Sequence, residues 1–93
     1  MAHKIKSYRQ TERIVRGFSN HRRIEILELL EKIPELSVLD ISEKLKINFK
    51  TASEHIRRLA ITGLVLKRSA GNFVRHKLSD RGLSILKFLR ILE

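Results

Sequence analysis

The chain contains no cysteine. That absence excludes disulfides, thiolate metal sites and cysteine nucleophiles together, and it suits an intracellular protein without redox chemistry. Long apolar runs are missing too: no stretch approaches the roughly 18 to 20 residues that a membrane span needs. The first ten residues, MAHKIKSYRQ, lack the apolar core of a secretory signal. A cytoplasmic location without membrane association is therefore expected. There is no internal repeat and no low-complexity segment. With 93 residues, 42% of them hydrophobic, the chain is long enough for one compact core and too short for two. Residues 1–93 are expected to form a single domain with no room for an appended sensor.

Acidic residues are the other scarcity. Ten Asp and Glu stand against twenty Lys and Arg, a formal charge of +10, and the imbalance is segregated along the chain. Residues 1–23 carry seven bases and one acid. Residues 24–45 reverse the sign, with Glu25, Glu28, Glu31, Glu35, Asp40 and Glu43 against Lys32 and Lys44. Residues 46–81 return to nine bases against Glu54 and Asp80. A basic excess on consecutive elements is the footprint of a polyanion binder, because each neutralised phosphate releases condensed counterions. Within it, Glu25, Glu28, Glu31 and Lys32 are expected to form the solvent face of a helix, and the segment would also keep a polyanion off that side.

Periodicity predicts the elements. Residues 4–16 form a basic helix that Gly17 closes. After a cap at Ser19 or Asn20, Ile24, Leu27, Leu30 and Ile33 recur at helical spacing until Pro34, the only proline, forbids continuation. Ser37 with Asp40 makes a capping box for a short helix bearing Val38, Ile41 and Leu45. Asn48 then caps a fourth helix that ends at Gly63, with Ala52, Ile56 and Leu59 on its buried stripe and Lys50, Glu54, Arg57 and Ile61 on the opposite side. LVLKRS and NFVRHKL are β-prone runs joined around Ala70, Gly71 and Asn72, which predicts a two-stranded hairpin. A last helix, capped near Ser79, closes the chain.

The fold class expected is mainly α with a small β-hairpin. A short helix, a three-residue connector (KIN) and a second helix with a polar, basic outer face follow the spacing of a helix-turn-helix. The basic hairpin directly behind it is a wing. Helix and hairpin can then present their bases to one duplex, the helix toward base edges and the hairpin toward phosphates. The segments FSNHRRIEILELL, LSVLDISEKLKINFKTASEHIRRLAITGLV and GNFVRHKLSDRG resemble the ArsR-type winged helix-turn-helix family. The resemblance covers residues 17–82 and is most specific at Ser53, His55, Ile56, Leu59, Gly63, Leu64 and Val65. It implies a dimeric transcriptional repressor that binds an operator through the helix of residues 48–62. Metal-sensing members of that family carry cysteines before the recognition helix or His and Asp pairs on the last helix. Here SVLDISEKL has no thiol and DRGLSILKFLRILE has Asp80 but no histidine, so metal sensing is not expected.

The candidate DNA-binding residues of the recognition helix are Asn48, Lys50, Thr51, Ser53, Glu54, Arg57 and Arg58, with Glu54 able to accept from cytosine N4 and Thr51 and Arg58 directed at phosphates. Those of the wing are Lys67, Arg68, Asn72 and Arg75. Phe49 is assigned to the core. No catalytic residue, cofactor or metal is expected: Ser53 and His55 lack an oriented acid, His3, His21 and His76 are scattered, and His55 is a packing or hydrogen-bonding residue. Partners other than double-stranded DNA, namely RNA or an acidic protein surface, remain open alternatives, as does a small effector.

The last helix carries more apolar surface than one core requires. Leu83, Ile85, Leu86, Phe88, Leu89, Ile91 and Leu92 exceed a single stripe of about 100°. Residues 1–16 and 79–93 are accordingly expected to form a homodimer interface through Ile5, Tyr8, Val15, Ile85, Phe88, Leu89 and Leu92.

Overall fold

The computed structural model describes residues 7–93, so Ile5 lies outside the described residues. Along the chain run α1 (Tyr8–Phe18), α2 (His21–Lys32), α3 (Val38–Leu45), α4 (Phe49–Ile61), β1 (Val65–Ala70), β2 (Phe73–Leu78) and α5 (Asp80–Ile91). These five helices and an antiparallel hairpin are the winged helix-turn-helix architecture that the sequence pattern predicts.

Local chemistry sets most of the boundaries. The Asn20 side chain accepts from the Arg22 and Arg23 amides, Ser37 and Asp40 form a reciprocal capping box, and Ser79 accepts from the Gly82 amide. Each satisfies amide donors that a helix start leaves without intrahelical partners. The connector between α3 and α4 turns at Lys46, whose φ of 54° is left-handed, before Asn48 caps α4. Gly63 closes α4 at φ 76°, a conformation that costs glycine nothing.

The core draws on every helix and both strands. Ile26, Leu27 and Leu30 of α2 meet Ile41 of α3, Ile56 and Leu59 of α4, Val65 of β1 and Leu86 of α5, all essentially inaccessible to solvent, with Ile14 of α1 and Leu78 of β2 packed against the cluster. β1 and β2 pair from Val65 with Leu78 to Ala70 with Phe73. The outer edge of β2 is extended by a single bridge between Leu36 and His76, so the segment before α3 fastens the hairpin to the helical layer.

Three expectations are corrected. The first helix does not stop at Gly17 but continues through it to Phe18, with its cap at Ser7. Gly17 is there for close approach: a Cβ at this position would lie 2.5 Å from Thr62 Oγ1, so α1 seats directly on the end of α4. Ile33, the last residue of the predicted helical repeat, falls outside α2, which ends at Lys32, and is 41% exposed, whereas Ile26, outside that repeat, is fully buried. Phe49, assigned to the core, is 54% exposed.

Gly82 is tighter than Gly17. A Cβ there would stand 2.3 Å from the Leu64 carbonyl oxygen and 2.6 Å from Leu78 Cδ1. Backbone cannot step aside as a rotamer can, so Gly82→Ala is expected to cost roughly 3 kcal/mol, the upper end of the usual range for overpacking. Urea unfolding should show a lower midpoint at an unchanged slope. A midpoint equal to that of the parent would mean that α5 shifts freely against the hairpin.

Candidate nucleic-acid interface

The outer face of α4 is positioned by its inner one. Ala52, Ile56 and Leu59 are buried to within 1%, which fixes the rotation of the helix and leaves Lys50, Thr51, Ser53, Glu54, Arg57, Arg58 and Ile61 exposed. Asn48 is committed to the cap, its Oδ1 accepting from the Lys50 amide at 2.8 Å and the Thr51 amide at 3.3 Å. Glu54 is the hub of the middle turns. Arg57 donates to both of its oxygens, Nε to Oε1 and Nη2 to Oε2 at 2.9 Å each, and Arg58 Nε donates to Oε2 at 2.9 Å. These bonds, Arg57's first, hold the Glu54 carboxyl down at about 2, so it is ionised at any physiological pH. All three side chains are about half exposed, so the pairs add little stability. What they supply is orientation: two guanidinium forks are held on the α4 surface. For Glu54 to accept from cytosine N4, it has to share its carboxylate with these arginines.

The hairpin divides the wing residues between two faces. Arg68 is directly opposite Arg75, and Lys67 directly opposite His76; because side chains alternate along a strand, Lys67 points away from the arginine pair. Like charges facing each other across a ladder repel, and Glu35 compensates. Its carboxylate accepts from Arg68 Nε and Nη2, and its carbonyl accepts from Arg75 Nη1 at 3.0 Å. The Arg68 hydrogen bond is the main reason that the Glu35 carboxyl lies below its ordinary range. Glu35 reaches this position on a left-handed backbone, φ 68°, that also lets its amide donate to the His76 carbonyl at 2.8 Å. Gly71, at φ 63°, and Asn72 make the exposed tip. Lys77, across from Leu66, shares the Arg68 and Arg75 face, a placement that only the strand register reveals.

His76 and His55 have different surroundings. His76 is 1% exposed, with Nδ1 2.8 Å from the Leu36 carbonyl, so that nitrogen carries the proton and donates. Burial lowers its pKa, against the effect of the Leu36 bond. It is a peg between the hairpin and the segment before α3, not a scattered surface residue. His55 is partly buried, its Nδ1 has no hydrogen-bond partner among the described residues, and burial, then Arg23, lowers its pKa. Packing rather than hydrogen bonding describes it.

With this geometry in place, comparison with known proteins assigns the fold to a lineage. The profile of the arsR family of bacterial regulatory proteins matches residues 20–67, from the cap of α2 into β1. The chain belongs to the arsR family. No curated protein sequence matches it. Among solved structures, this arsR-family chain is similar to the homodimeric winged helix-turn-helix DNA-binding domain of a possible ArsR-family transcriptional regulator from Mycobacterium bovis. The two are 25% identical over 99% of this chain and 89% of that one, with a TM-score of 0.83. HlyU from Vibrio cholerae is 28% identical, over 96% of this chain and 97% of that one, with a TM-score of 0.78. MepR from S. aureus, solved as a complex with DNA, is 16% identical over 88% of this chain and 71% of that one, at a TM-score of 0.73, a likeness of fold alone.

Two further features of this arsR-family chain bear on function. Tyr8, Val15, Phe88, Ile91 and Leu92 expose large apolar side chains, 95% of Tyr8 and 66% of Leu92 being accessible. Ile85 and Leu89, expected at the same interface, are half-buried and pack in part against the chain's own core. Among the described residues no group of three or more His, Asp or Glu is placed to hold a metal ion, and no helix is long and apolar enough to cross a membrane.

Proposed function

We propose that this arsR-family protein is a homodimeric, sequence-specific double-stranded DNA-binding regulator, a cytoplasmic repressor that acts by occupying its operator and does so without sensing a metal. The observation that carries the reading is the α4 surface: a helix locked by Ala52, Ile56 and Leu59 presents Lys50, Thr51, Ser53 and Arg57 outward. A helix of that build fits the major groove, with residues from its first turns at base edges. Thr51 and Arg58 contact phosphates at its flanks, Asn48 holds the cap from which they project, and the hairpin contributes Lys67, Arg68, Asn72 and Arg75 to the backbone or minor groove. The lack of a thiol and of a histidine on α5 supports regulation by something other than a metal. Selection of bound sequences from a random duplex library tests the whole reading. The expected product is a palindromic consensus with half-sites about one helical turn apart; absence of any enrichment would overturn it.

The wing has its own expected signature. Arg68→Ala together with Arg75→Ala should weaken specific and random duplexes alike and flatten the salt dependence by about one unit per lost phosphate contact. A salt slope equal to the parent's would remove the wing from the interface and leave Glu35 as the sole partner of both arginines.

A further inference from the structure

α1 was expected to serve only dimerisation, yet its polar side is strongly basic. Arg9, Arg13 and Arg16 recur at positions four and three residues apart, along one face of the helix. Among the described residues Arg13 has no carboxylate partner, and Arg16 has only Glu12, at 3.4 Å and well exposed. This face does not point into empty solvent. The close packing of Gly17 on Thr62 brings it against the end of α4, where Arg13 and Arg16 line a cleft of about 200 Å³ with Arg57, Arg58, Ile61 and Thr62. Behind the cleft, Arg23 donates Nη2 to the Arg16 carbonyl at 3.3 Å. Burial lowers the Arg23 pKa, and the nearby Arg58 lowers it further. Its Nε has no hydrogen-bond partner among the described residues.

Four guanidinium groups thus line the cleft, with Arg23 bonded to the Arg16 backbone beside them, while Glu54 and Glu12 supply two carboxylates to Arg57, Arg58 and Arg16. Like charges brought together in a concavity favour an anion, and guanidinium forks bind the oxygens of a phosphate bidentately, as they do those of a carboxylate. The cleft is also continuous with the α4 surface, since Arg57 and Arg58 belong to both. An anion seated there would be a neighbour of the bases that α4 faces, and a duplex supplies such anions at regular intervals along its backbone.

We propose that the cleft between α1 and the C-terminal half of α4 is a phosphate-binding site that grips the DNA backbone through Arg13, Arg16, Arg57 and Arg58. The inference rests on the DNA-binding reading and extends it: α1 then joins the nucleic-acid interface, so its placement links a dimer helix to the duplex. Arg13→Gln with Arg16→Gln tests the site without touching α4 or the wing. Sedimentation and thermal unfolding matching the parent's exclude loss of assembly or fold as the cause of any change.

Two measurements are made on parent and variant: duplex affinity over a salt series, and amide shifts of Gly17 and Thr62 during titration with inorganic phosphate. The expected result is a salt slope reduced by about 0.9 for the lost backbone phosphate, together with phosphate-dependent shifts in the parent that the variant lacks. A reduced slope alone still supports the backbone as the source. Shifts alone, with a parental slope, keep the phosphate site but overturn its assignment to the backbone in favour of a free phosphorylated ligand. A parental slope with no shifts overturns the proposal while leaving the regulator reading intact. Should the parent bind no duplex at all, that reading fails first, and the Gly17 and Thr62 shifts decide the site by themselves.

Discussion

Lys50→Ala combined with Arg57→Ala is expected to abolish discrimination between operator and random duplex. The two residues stand seven positions apart on the exposed side of α4, about 10 Å along the axis at the usual rise. Both therefore face one major groove once the helix enters it. Each specific base contact is worth roughly 5- to 150-fold in discrimination, so losing both should remove most of the ratio rather than trim it. Arg57 begins as the bidentate partner of Glu54, and DNA has to compete with that carboxylate. The competition is mild, because the pair is half exposed and Arg58 stays on Glu54 when Arg57 leaves. It also gives the site selectivity: a base that offers Arg57 two acceptors repays the exchange, and one that offers none leaves the guanidinium where it was. Competition mobility-shift assays with labelled operator measure the ratio directly. A ratio equal to the parent's in the double variant would take this helix out of base recognition.

Much of this surface was legible in the sequence because its determinants are local. Asn48, Ser37 and Ser79 each act on amides within three residues, and Ala52, Ile56 and Leu59 repeat at the period of one helix. What escaped depends on residues far apart in the chain. Gly17 looks like a helix stop until Thr62, 45 positions later, is seen against it. His76 stands between Arg75 and Lys77 in its strand, yet it is buried, on a face to which Leu36 bridges from before α3. Glu35, which the sequence offers only as one of the acids between residues 24 and 45, holds Arg68 and Arg75. Phe49 shows the opposite error: helical spacing puts it on the side of Ala52 and Ile56, which are buried, yet at the first residue of α4 its ring is half exposed. Periodicity gives the direction of a side chain; whether anything lies in that direction is a tertiary matter.

Phe88→Asp combined with Leu92→Asp is expected to convert a dimer into monomers whose operator affinity is lower by about two to four orders of magnitude. The argument starts from the two sides of α5. Leu86 is 1% exposed and meets the core, and Arg90 pairs with Glu31 of α2, which settles how the helix lies on its own domain. Phe88 at 50%, Leu92 at 66% and Ile91 at 79% are then left in water, with Tyr8 and Val15 of α1 exposed as well. So much large apolar surface on two helices of one small domain marks an interaction surface, and a second copy of the chain can cover it through a twofold axis that places like against like. A charge introduced at Phe88 or Leu92 would be buried without a partner in that dimer, and such burial is prohibitive. In the monomer both positions are wet, so the fold should survive. The loss on DNA follows from tethering: once one recognition helix is bound, its partner acts at an effective local concentration, and linked sites exceed a single one by about 10² to 10⁴. Sedimentation and operator titration on the same samples check both halves, with circular dichroism confirming that the variant is folded. A parent protein that sediments as a monomer at micromolar concentration, with and without DNA, would refute the interface and leave α5's outer face in need of another partner.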